Sequence, residues 1–243
     1  RRSDVNVLTY LPGFAGTIRD VAEQSSLEVR LASNEDQRLR YVVGLFYFGE
    51  NQETENFFRQ GNISTTRFTP RLSTESVAAF GQLTFDITDT LRLVAGGRYT
   101  KEDKKQLTSV AAGGLPGPIN PPLSAPFTGD LTFEKFTWKA GLEWDAGPAS
   151  LIYANVATGF KSGGFYVAAP PTNSFRPESL TAYTIGAKNR FFGNKLQLNI
   201  EAFYWDYKDQ QVTFVGGVQT GNGLFAQGSL TTNAGKSRIY GVE

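Results

Sequence analysis

The residue types that most often carry catalysis or metal binding are scarce in this sequence. Its 243 residues include 0 Cys and 0 His, which excludes disulfide bonds, thiolate or imidazole metal sites and Ser-His-Asp or Cys-His nucleophiles within the chain. Carboxylates are plentiful, but Glu134 and Glu143 fall on opposite faces of one predicted strand, and so do Glu201 and Asp206. No general acid–base pair is indicated, so we expect no catalytic residue and no enzymatic activity.

Two clusters of charged residues remain as candidates for binding. Asp206 and Asp209 flank Tyr207, but two carboxylates without a glycine-punctuated ligand loop are typical of ordinary surface, so we predict no metal site and no cofactor. The second cluster, 101–105, lies at the end of a predicted strand. We interpret it as a solvated strand extension or a contact with lipopolysaccharide, and a ligand-binding role is the alternative.

Charge and composition exclude some partners and favour one fold class. The 24 Lys and Arg residues nearly balance the 23 Asp and Glu residues, for a net charge of +1, so nucleic acid is not an expected partner. Aromatic residues make up 13% of the chain and Gly contributes 26 residues, a combination more typical of strands than of helices. No apolar run approaches the roughly 20 residues of a transmembrane helix, so any membrane contact must come through β-structure.

Period-2 segments bounded by turn residues follow one another along the chain, which predicts an all-β protein. The predicted strands are 24–33, 39–50, 75–86, 91–103, 131–145, 150–161, 179–191, 195–208 and 236–243. Their connections alternate in length: 34–37, 87–90, 146–149 and 192–194 are short, and 51–74, 104–130, 162–178 and 209–235 are long. Because outer-membrane barrels have short turns on one side and long loops on the other, this alternation predicts an antiparallel up-and-down transmembrane β-barrel.

The strands with clean alternation have one apolar and one polar face, as a barrel wall between lipid and lumen requires. In 91–99, Leu93 and Tyr99 lie on one face, and Arg92 and Arg98 lie on the other. A charge that faces hydrocarbon is costly, so both arginines are expected to point into the lumen.

Two features of the aromatic and apolar residues are less decisive. Strand 39–50 is apolar on both faces, so its periodicity cannot orient it. Aromatic residues near strand ends suit two girdles at the membrane interfaces. These are Phe85, Trp144, Phe191 and Phe192 beside the short turns, and Tyr47, Tyr99, Tyr204 and Tyr207 farther up. The alternative is that these rings form the core of a soluble β-protein.

Seven runs are similar, in family order, to successive barrel segments of the TonB-dependent outer-membrane receptors. They are 26–33, 41–48, 93–102, 153–165, 175–180, 203–210 and 233–243. Each run is weak alone, but their joint order and spacing are specific, and the resemblance covers about residues 24–243. It implies a plugged barrel of about 22 strands, of which the nine predicted here would form the middle part.

The resemblance also implies a function and a set of partners. Such a receptor imports a scarce ligand, of the ferric siderophore, cobalamin or oligosaccharide class, with energy delivered through TonB. Its partners would be outer-membrane lipid and lipopolysaccharide, its own plug domain, TonB and the small-molecule ligand, in the outer membrane of a Gram-negative bacterium. On this basis 24–243 is a partial barrel domain and 1–23 is a loop or strand edge before it. The plug, the TonB box and the closing strands would lie outside a chain that we expect to be a fragment.

One long loop contains the candidate ligand-binding residues. Lys161 and Arg176 flank a glycine-containing stretch in which Phe165 and Tyr166 offer aromatic faces for stacking. We predict that these four residues contact ligand from the extracellular side. An ordinary ordered loop is the alternative.

Arg92 and Arg98 are the candidate lumenal residues. A plug domain inside the barrel would meet them through charge-assisted hydrogen bonds, and direct contact with a ligand is the alternative.

Two other functions compete with the importer. A passive porin or an adhesion barrel would have no plug domain, and a porin would conduct ions steadily. A soluble extracellular β-protein would cover its apolar faces with a second sheet.

Overall fold

The computed structural model describes residues 2–8, 14–60, 63–112, 126–166, 173–219 and 225–243. The strands are β1 (Arg2–Leu8), β2 (Phe14–Ala32), β3 (Leu39–Gln60), β4 (Ile63–Asp86), β5 (Leu91–Ala112), β6 (Phe127–Gly147), β7 (Ser150–Lys161), β8 (Gly164–Phe165), β9 (Ser174–Phe175), β10 (Glu178–Phe191), β11 (Leu196–Gln219) and β12 (Phe225–Val242). Within these ranges, no helix is long and apolar enough to cross a membrane.

Ten strands form one sheet in the order β1-β2-β3-β4-β5-β6-β7-β10-β11-β12, and β8 pairs with β9 in a separate two-stranded sheet. Every neighbouring pair in the large sheet is antiparallel. Strands that follow one another in the chain are therefore neighbours in space, with the small hairpin as an insertion. The predicted all-β, up-and-down architecture is confirmed.

The short connections lie at one end of the sheet, as predicted, and have recognisable turn chemistry. In the turn at 87–90, the Thr88 hydroxyl accepts hydrogen bonds from the backbone N–H groups of Thr90 and Leu91 at 3.3 and 3.0 Å. In the turn at 192–195, Gly193 has a φ of 64° between two other residues with positive φ. A run of left-handed residues is unusual outside a tight turn, and Gly adopts that conformation without strain.

The predicted long loops are shorter in the structure, because β3, β4, β5, β11 and β12 extend well past their predicted ends. The prediction of a loop was wrong for most of 51–74 and for most of 209–235, because both segments are largely strand. In the predicted loop 104–130, β5 continues to Ala112. These extensions have polar residues on both faces. The period-2 pattern that marks a strand at a lipid boundary is lost there, although backbone pairing continues.

Strand structure also lies within 1–23, which the sequence predicted as a loop or strand edge. All of β1 and the first part of β2 fall in this segment. The two strands pair from Arg2 with Val21 to Leu8 with Ala15.

Cross-strand register assigns the face of each residue, including those of the predicted strand 39–50. Arg30, Gly44, Phe80, Arg98 and Thr137 are partners in one row across β2 to β6. We call their side of the sheet the polar face, and the side that carries Leu93 and Tyr99 the apolar face. Phe46 and Phe48 are an even number of residues from Gly44, so they lie on the polar face.

Burial on the two faces is the reverse of that in a soluble protein. On the apolar face, Leu27, Leu45 and Ile185 are 65%, 65% and 58% exposed. On the polar face, Thr100 and Gln106 are buried. Large apolar side chains that face outward in a continuous band need an apolar environment to cover them.

The exposed aromatic residues fall into two groups on the apolar face. Phe85, Trp144, Phe191 and Phe192 lie near the short turns, and Tyr47, Tyr99, Tyr204 and Tyr240 lie farther along the strands. Tyr183, Tyr204 and Tyr240 are cross-strand neighbours with ring centroids 6.2 and 6.4 Å apart. Tyr207 was wrongly included in the upper girdle, since it pairs with Leu180 and Ser237 on the polar face.

Candidate functional site

The loop between β7 and β10 folds back onto the polar face of the sheet. We call its described residues, 162–166 and 173–178, the strap. A Cβ atom on Gly129 of β6 would lie 2.5 Å from Cε1 of Phe165, so the Phe165 ring packs directly on the backbone of Gly129. The glycine at 129 therefore permits the close approach of the strap to the sheet.

A buried amide network attaches the strap to β5. Asn173 Nδ2 donates to Gln106 Oε1 at 2.8 Å. Gln106 Nε2 in turn donates to the Thr108 hydroxyl at 2.9 Å and to the Tyr166 carbonyl at 3.4 Å. Asn173, Gln106 and Thr108 are only 4%, 3% and 0% exposed. Ser162 adds a hydrogen bond to the Glu102 carboxylate. Buried polar groups satisfied in this way fix one geometry for the strap.

A second set of hydrogen bonds attaches the strap to β11. Gln211 Nε2 lies 2.9 Å from the Ser162 carbonyl, 3.1 Å from that of Arg176 and 3.5 Å from that of Lys161. The backbone N–H of Gln211 donates to the Glu178 carboxylate at 2.7 Å. One glutamine therefore connects both ends of the strap to the same strand.

Asn233 of β12 and Asp209 of β11 hold Arg176. Asn233 Oδ1 accepts from the Arg176 N–H at 2.8 Å, and Asn233 Nδ2 donates to the Arg176 carbonyl at 2.9 Å. The Arg176 side chain donates to Asp209 at 2.8 Å. The Arg176 side chain is 72% exposed, so it remains accessible to solutes while its backbone is fixed.

The structure brings together two of the four predicted ligand-binding residues. Lys161 and Arg176 are both exposed, and their carbonyls face the same Gln211 amide. Phe165 instead packs on Gly129, and Tyr166 is bound through its backbone to Gln106 and Asn173. The predicted stacking role of these two rings remains a prediction.

Sequence reasoning missed four residues with amide side chains that position the strap. They are Gln106, Asn173, Gln211 and Asn233. Isolated amides in polar strand extensions have no diagnostic spacing, and their partners are distant in sequence. No signal in a single sequence could have found them.

The two predicted lumenal arginines both lie on the polar face but have different surroundings. Arg92 donates to Asp145 at 2.9 Å and to Glu143 at 3.2 Å, so carboxylates of β6 neutralise it. Arg98 donates through Nε to the Thr100 hydroxyl at 3.1 Å and lies 5.1 and 5.7 Å from the ring centroids of Phe46 and Phe80.

The side chains at these places offer the groups used in recognition. In the described ranges, no group of three or more Asp, Glu, His or Cys residues is arranged to hold a metal ion. Hydrogen-bond donors, exposed cations and aromatic rings are arranged on a rigid sheet, as in a binding surface.

The comparison with known families decides the identity of the fold. The family model described as TonB dependent receptor-like, beta-barrel, matches residues 2–243. The chain belongs to the TonB-dependent receptor family. This membership places it in the outer membrane of a Gram-negative bacterium, with the apolar face toward lipid and the polar face toward the barrel lumen.

Solved uptake, import and siderophore receptors have the same fold. The chain is similar to the ferric yersiniabactin uptake receptor FyuA from Yersinia pestis, at 19% identity and a TM-score of 0.76, over 96% of this chain and 33% of that one. The siderophore receptor PiuA from Acinetobacter baumannii matches at 14% identity and a TM-score of 0.64, over 95% of this chain and 37% of that one. The ferric-catecholate import receptor Fiu from E. coli K12 matches at 16% identity and a TM-score of 0.59, over 94% of this chain and 35% of that one. The chain thus spans about a third of the length of the receptors that it matches.

Proposed function

We propose that this chain is the middle part of the barrel of a receptor that imports a scarce ligand across the outer membrane, with energy delivered through TonB. The family assignment over residues 2–243 carries the proposal, because it concerns a barrel whose transport depends on TonB. The plug domain, the TonB box and the closing strands would belong to the rest of the protein.

A ferric siderophore is the ligand class that we favour over cobalamin and oligosaccharides. FyuA is a ferric yersiniabactin uptake receptor, PiuA is a siderophore receptor and Fiu is a ferric-catecholate import receptor. The copper transporter OprC is also similar to this chain, at 16% identity and a TM-score of 0.57. Metal or metal-complex transport is thus common to these structural neighbours.

Lys161 and Arg176 are the proposed ligand contacts of this segment. Lys161 lies directly before the strap and Arg176 lies near its other end. Both are exposed, and Gln211 holds their backbone carbonyls. Two exposed cations on fixed backbones suit an anionic ferric complex, because the backbone is already ordered before the complex binds. Phe165 and Tyr166 are proposed as secondary contacts that shape the surface between them.

Uptake by cells tests this function. The full-length protein is expressed in a Gram-negative strain that lacks it, and uptake of radioactive iron as ferric siderophores is measured with and without TonB. We expect uptake that requires TonB. Steady ion conductance of the purified protein without TonB-dependent uptake would instead indicate a passive porin.

Charge-removing variants test the proposed ligand contacts. Lys161→Gln and Arg176→Gln should raise the ligand concentration needed for half-maximal uptake while leaving the amount of folded protein unchanged. Lys195→Gln, in the exposed turn at the opposite end of the barrel, is the matched control and should behave as wild type. Equal uptake by all three variants would contradict the assigned contacts.

A further inference from the structure

We propose that Arg98, Lys139 and Arg30 form a carboxylate-binding site on the lumenal wall. They line an open cavity of about 410 Å³ together with Phe80, Gln82 and Thr137. The inference rests on the proposed barrel function, because the polar face must line a lumen. The proposed site is separate from the strap.

The Arg98 guanidinium has unused donors, unlike the other lumenal arginines near it. Arg40 donates to both carboxylate oxygens of Asp86 at 2.8 and 2.6 Å, and Arg92 binds Asp145 in the same two-pronged way. Arg98 binds a neutral hydroxyl through Nε alone. Its Nη1 and Nη2 groups have no hydrogen-bond partner among the described residues.

The surroundings of Arg98 are positive. Arg98 pairs with Thr137 of β6. Lys139 and Lys135 lie two residues after and two residues before Thr137, so both are diagonal neighbours of Arg98 on the same face. Neither lysine forms an ion pair within the described part of the chain. Arg30 lies in the same row as Arg98 and is paired with Glu28. The cross-strand rows that contain Lys135, Arg98 and Lys139 hold one carboxylate among the described residues, which is that of Glu28.

An aromatic floor lies between the two arginines. Gly44 and Phe80 separate Arg30 from Arg98 in the row, and a Cβ atom on Gly44 would lie 2.5 Å from Cζ of Phe80. The tip of the Phe80 ring therefore packs on the backbone of Gly44. With strands about 4.8 Å apart, the floor leaves a gap between the arginines that a carboxylate-bearing group can enter.

A carboxylate suits this site better than other anions of similar size. The two Nη groups of a guanidinium form a planar fork that matches both carboxylate oxygens, and Phe46 and Phe80 hold that fork in place. Lys139 adds a mobile point charge. The carboxylate has two possible sources, namely a side chain of the same protein outside residues 1–243 or a dissolved carboxylate in the lumen.

Zero-length crosslinking of the purified full-length receptor tests the first source. A water-soluble carbodiimide activates a carboxylate, and attack by the Lys139 amine forms an amide bond while the urea leaves. Mass spectrometry of the digested protein should identify Lys139 joined to an Asp or Glu outside residues 1–243. Lys195, in the turn at 192–195, is the internal control and should remain unlinked.

Titration with citrate tests the second source on the same protein. If a dissolved carboxylate is the occupant, calorimetry should detect citrate binding that is weaker by at least about tenfold in Arg98→Gln, the effect expected for a lost charge-assisted hydrogen bond. Arg98→Lys should recover part of the affinity, and Lys195→Gln should bind as wild type. A shift in gel mobility on heating checks that each variant retains a folded barrel.

Either the crosslink or Arg98-dependent citrate binding supports the site and identifies the source of the carboxylate. Absence of both, or a Lys139 crosslink solely to carboxylates within residues 1–243, overturns it. Iron uptake is measured in parallel. A receptor that transports iron but shows neither signal contradicts the carboxylate site alone, and a receptor that shows a signal without uptake contradicts the proposed function alone.

Discussion

Arg176 Nη2 donates to Oδ1 of Asp209 at 2.8 Å, and Asp209 has a left-handed backbone with a φ of 53° inside strand β11. The β11–β12 ladder pairs Lys208 with Lys236 and Gln210 with Ala234, but it leaves Asp209 unpaired. Its carbonyl instead accepts from Asn233 Nδ2 at 2.8 Å. The strap is therefore attached at a strained point of the strand. The Asp209 carboxylate binds Arg176 directly, and the Asp209 carbonyl holds Asn233, which binds the Arg176 backbone.

Replacement of Asp209 should separate the cost of strain from the value of the ion pair. Asp209→Val places a β-branched residue in the left-handed region and should lower the free energy of unfolding by about 1–2 kcal/mol. Asp209→Gly removes the strain and the ion pair, which is exposed and is worth no more than about 1 kcal/mol. Urea unfolding of the full-length receptor in detergent measures both. Equal stability of the Val and Gly variants would contradict the strain.

Gln211 should control the mobility of the strap. In Gln211→Glu a carboxylate without donors faces the carbonyls of Ser162 and Arg176, so the variant loses these hydrogen bonds and gains repulsion. We expect faster hydrogen exchange over 162–166 and 173–178, corresponding to about 1–3 kcal/mol of lost local stability. Gln210→Glu adds the same charge at the neighbouring position on the other face. Equal exchange in the two variants would show that Gln211 does not hold the strap.

The barrel wall could be predicted from the sequence because lipid imposes a pattern on it. Leu93 and Arg92 alternate in β5 since one must face hydrocarbon and the other must avoid it, and turn residues mark where that pattern stops. Beyond the membrane both faces meet water. Nothing in the sequence therefore showed that β3 continues to Gln60 or that β4 begins at Ile63. The faces of 39–50 required the register with Phe80, which a single strand does not contain.

The candidate site was predictable in its charges but not in its geometry. Lys161 and Arg176 could be found because they flank a glycine-containing loop. The inward fold of that loop depends on Gln106, whose partner Asn173 is 67 residues away. Likewise, Arg92 forms ion pairs and Arg98 does not, because a carboxylate lies opposite or next to Arg92 on the adjacent strand and none lies there for Arg98. That information resides in register rather than in local spacing.

Gly241 should be required for the position of the Phe203 ring on the lumenal wall. The two residues are direct cross-strand partners, and a Cβ atom on Gly241 would lie 2.9 Å from Cζ of Phe203. Gly241→Ala should therefore destabilise the receptor by about 1–3 kcal/mol, the usual cost of overpacking. The contact involves the ring alone, so the added cost of Gly241→Ala should be much smaller in a Phe203→Ala background. A double-mutant cycle from urea unfolding measures this coupling. Additive effects would contradict the contact.

A charge introduced on the apolar face should be far more costly than the same charge on the polar face. Ile185 is 58% exposed on the apolar face, and Thr184, the preceding residue, lies on the polar face opposite Asn155 and Phe203. Ile185→Arg should reduce the stability of the full-length barrel in lipid vesicles by between about 1 and 4 kcal/mol, the range from interface to bilayer midplane. Thr184→Arg places the same side chain on the lumenal face, directly opposite the uncharged Asn155 and Phe203, and should cost less than about 1 kcal/mol, the effect of an ordinary solvated substitution. The fraction folded is read from gel mobility without heating. If the two variants lost equal stability, the assignment of the apolar face to lipid would be wrong, whereas a large loss in Thr184→Arg alone would mean that the faces are reversed.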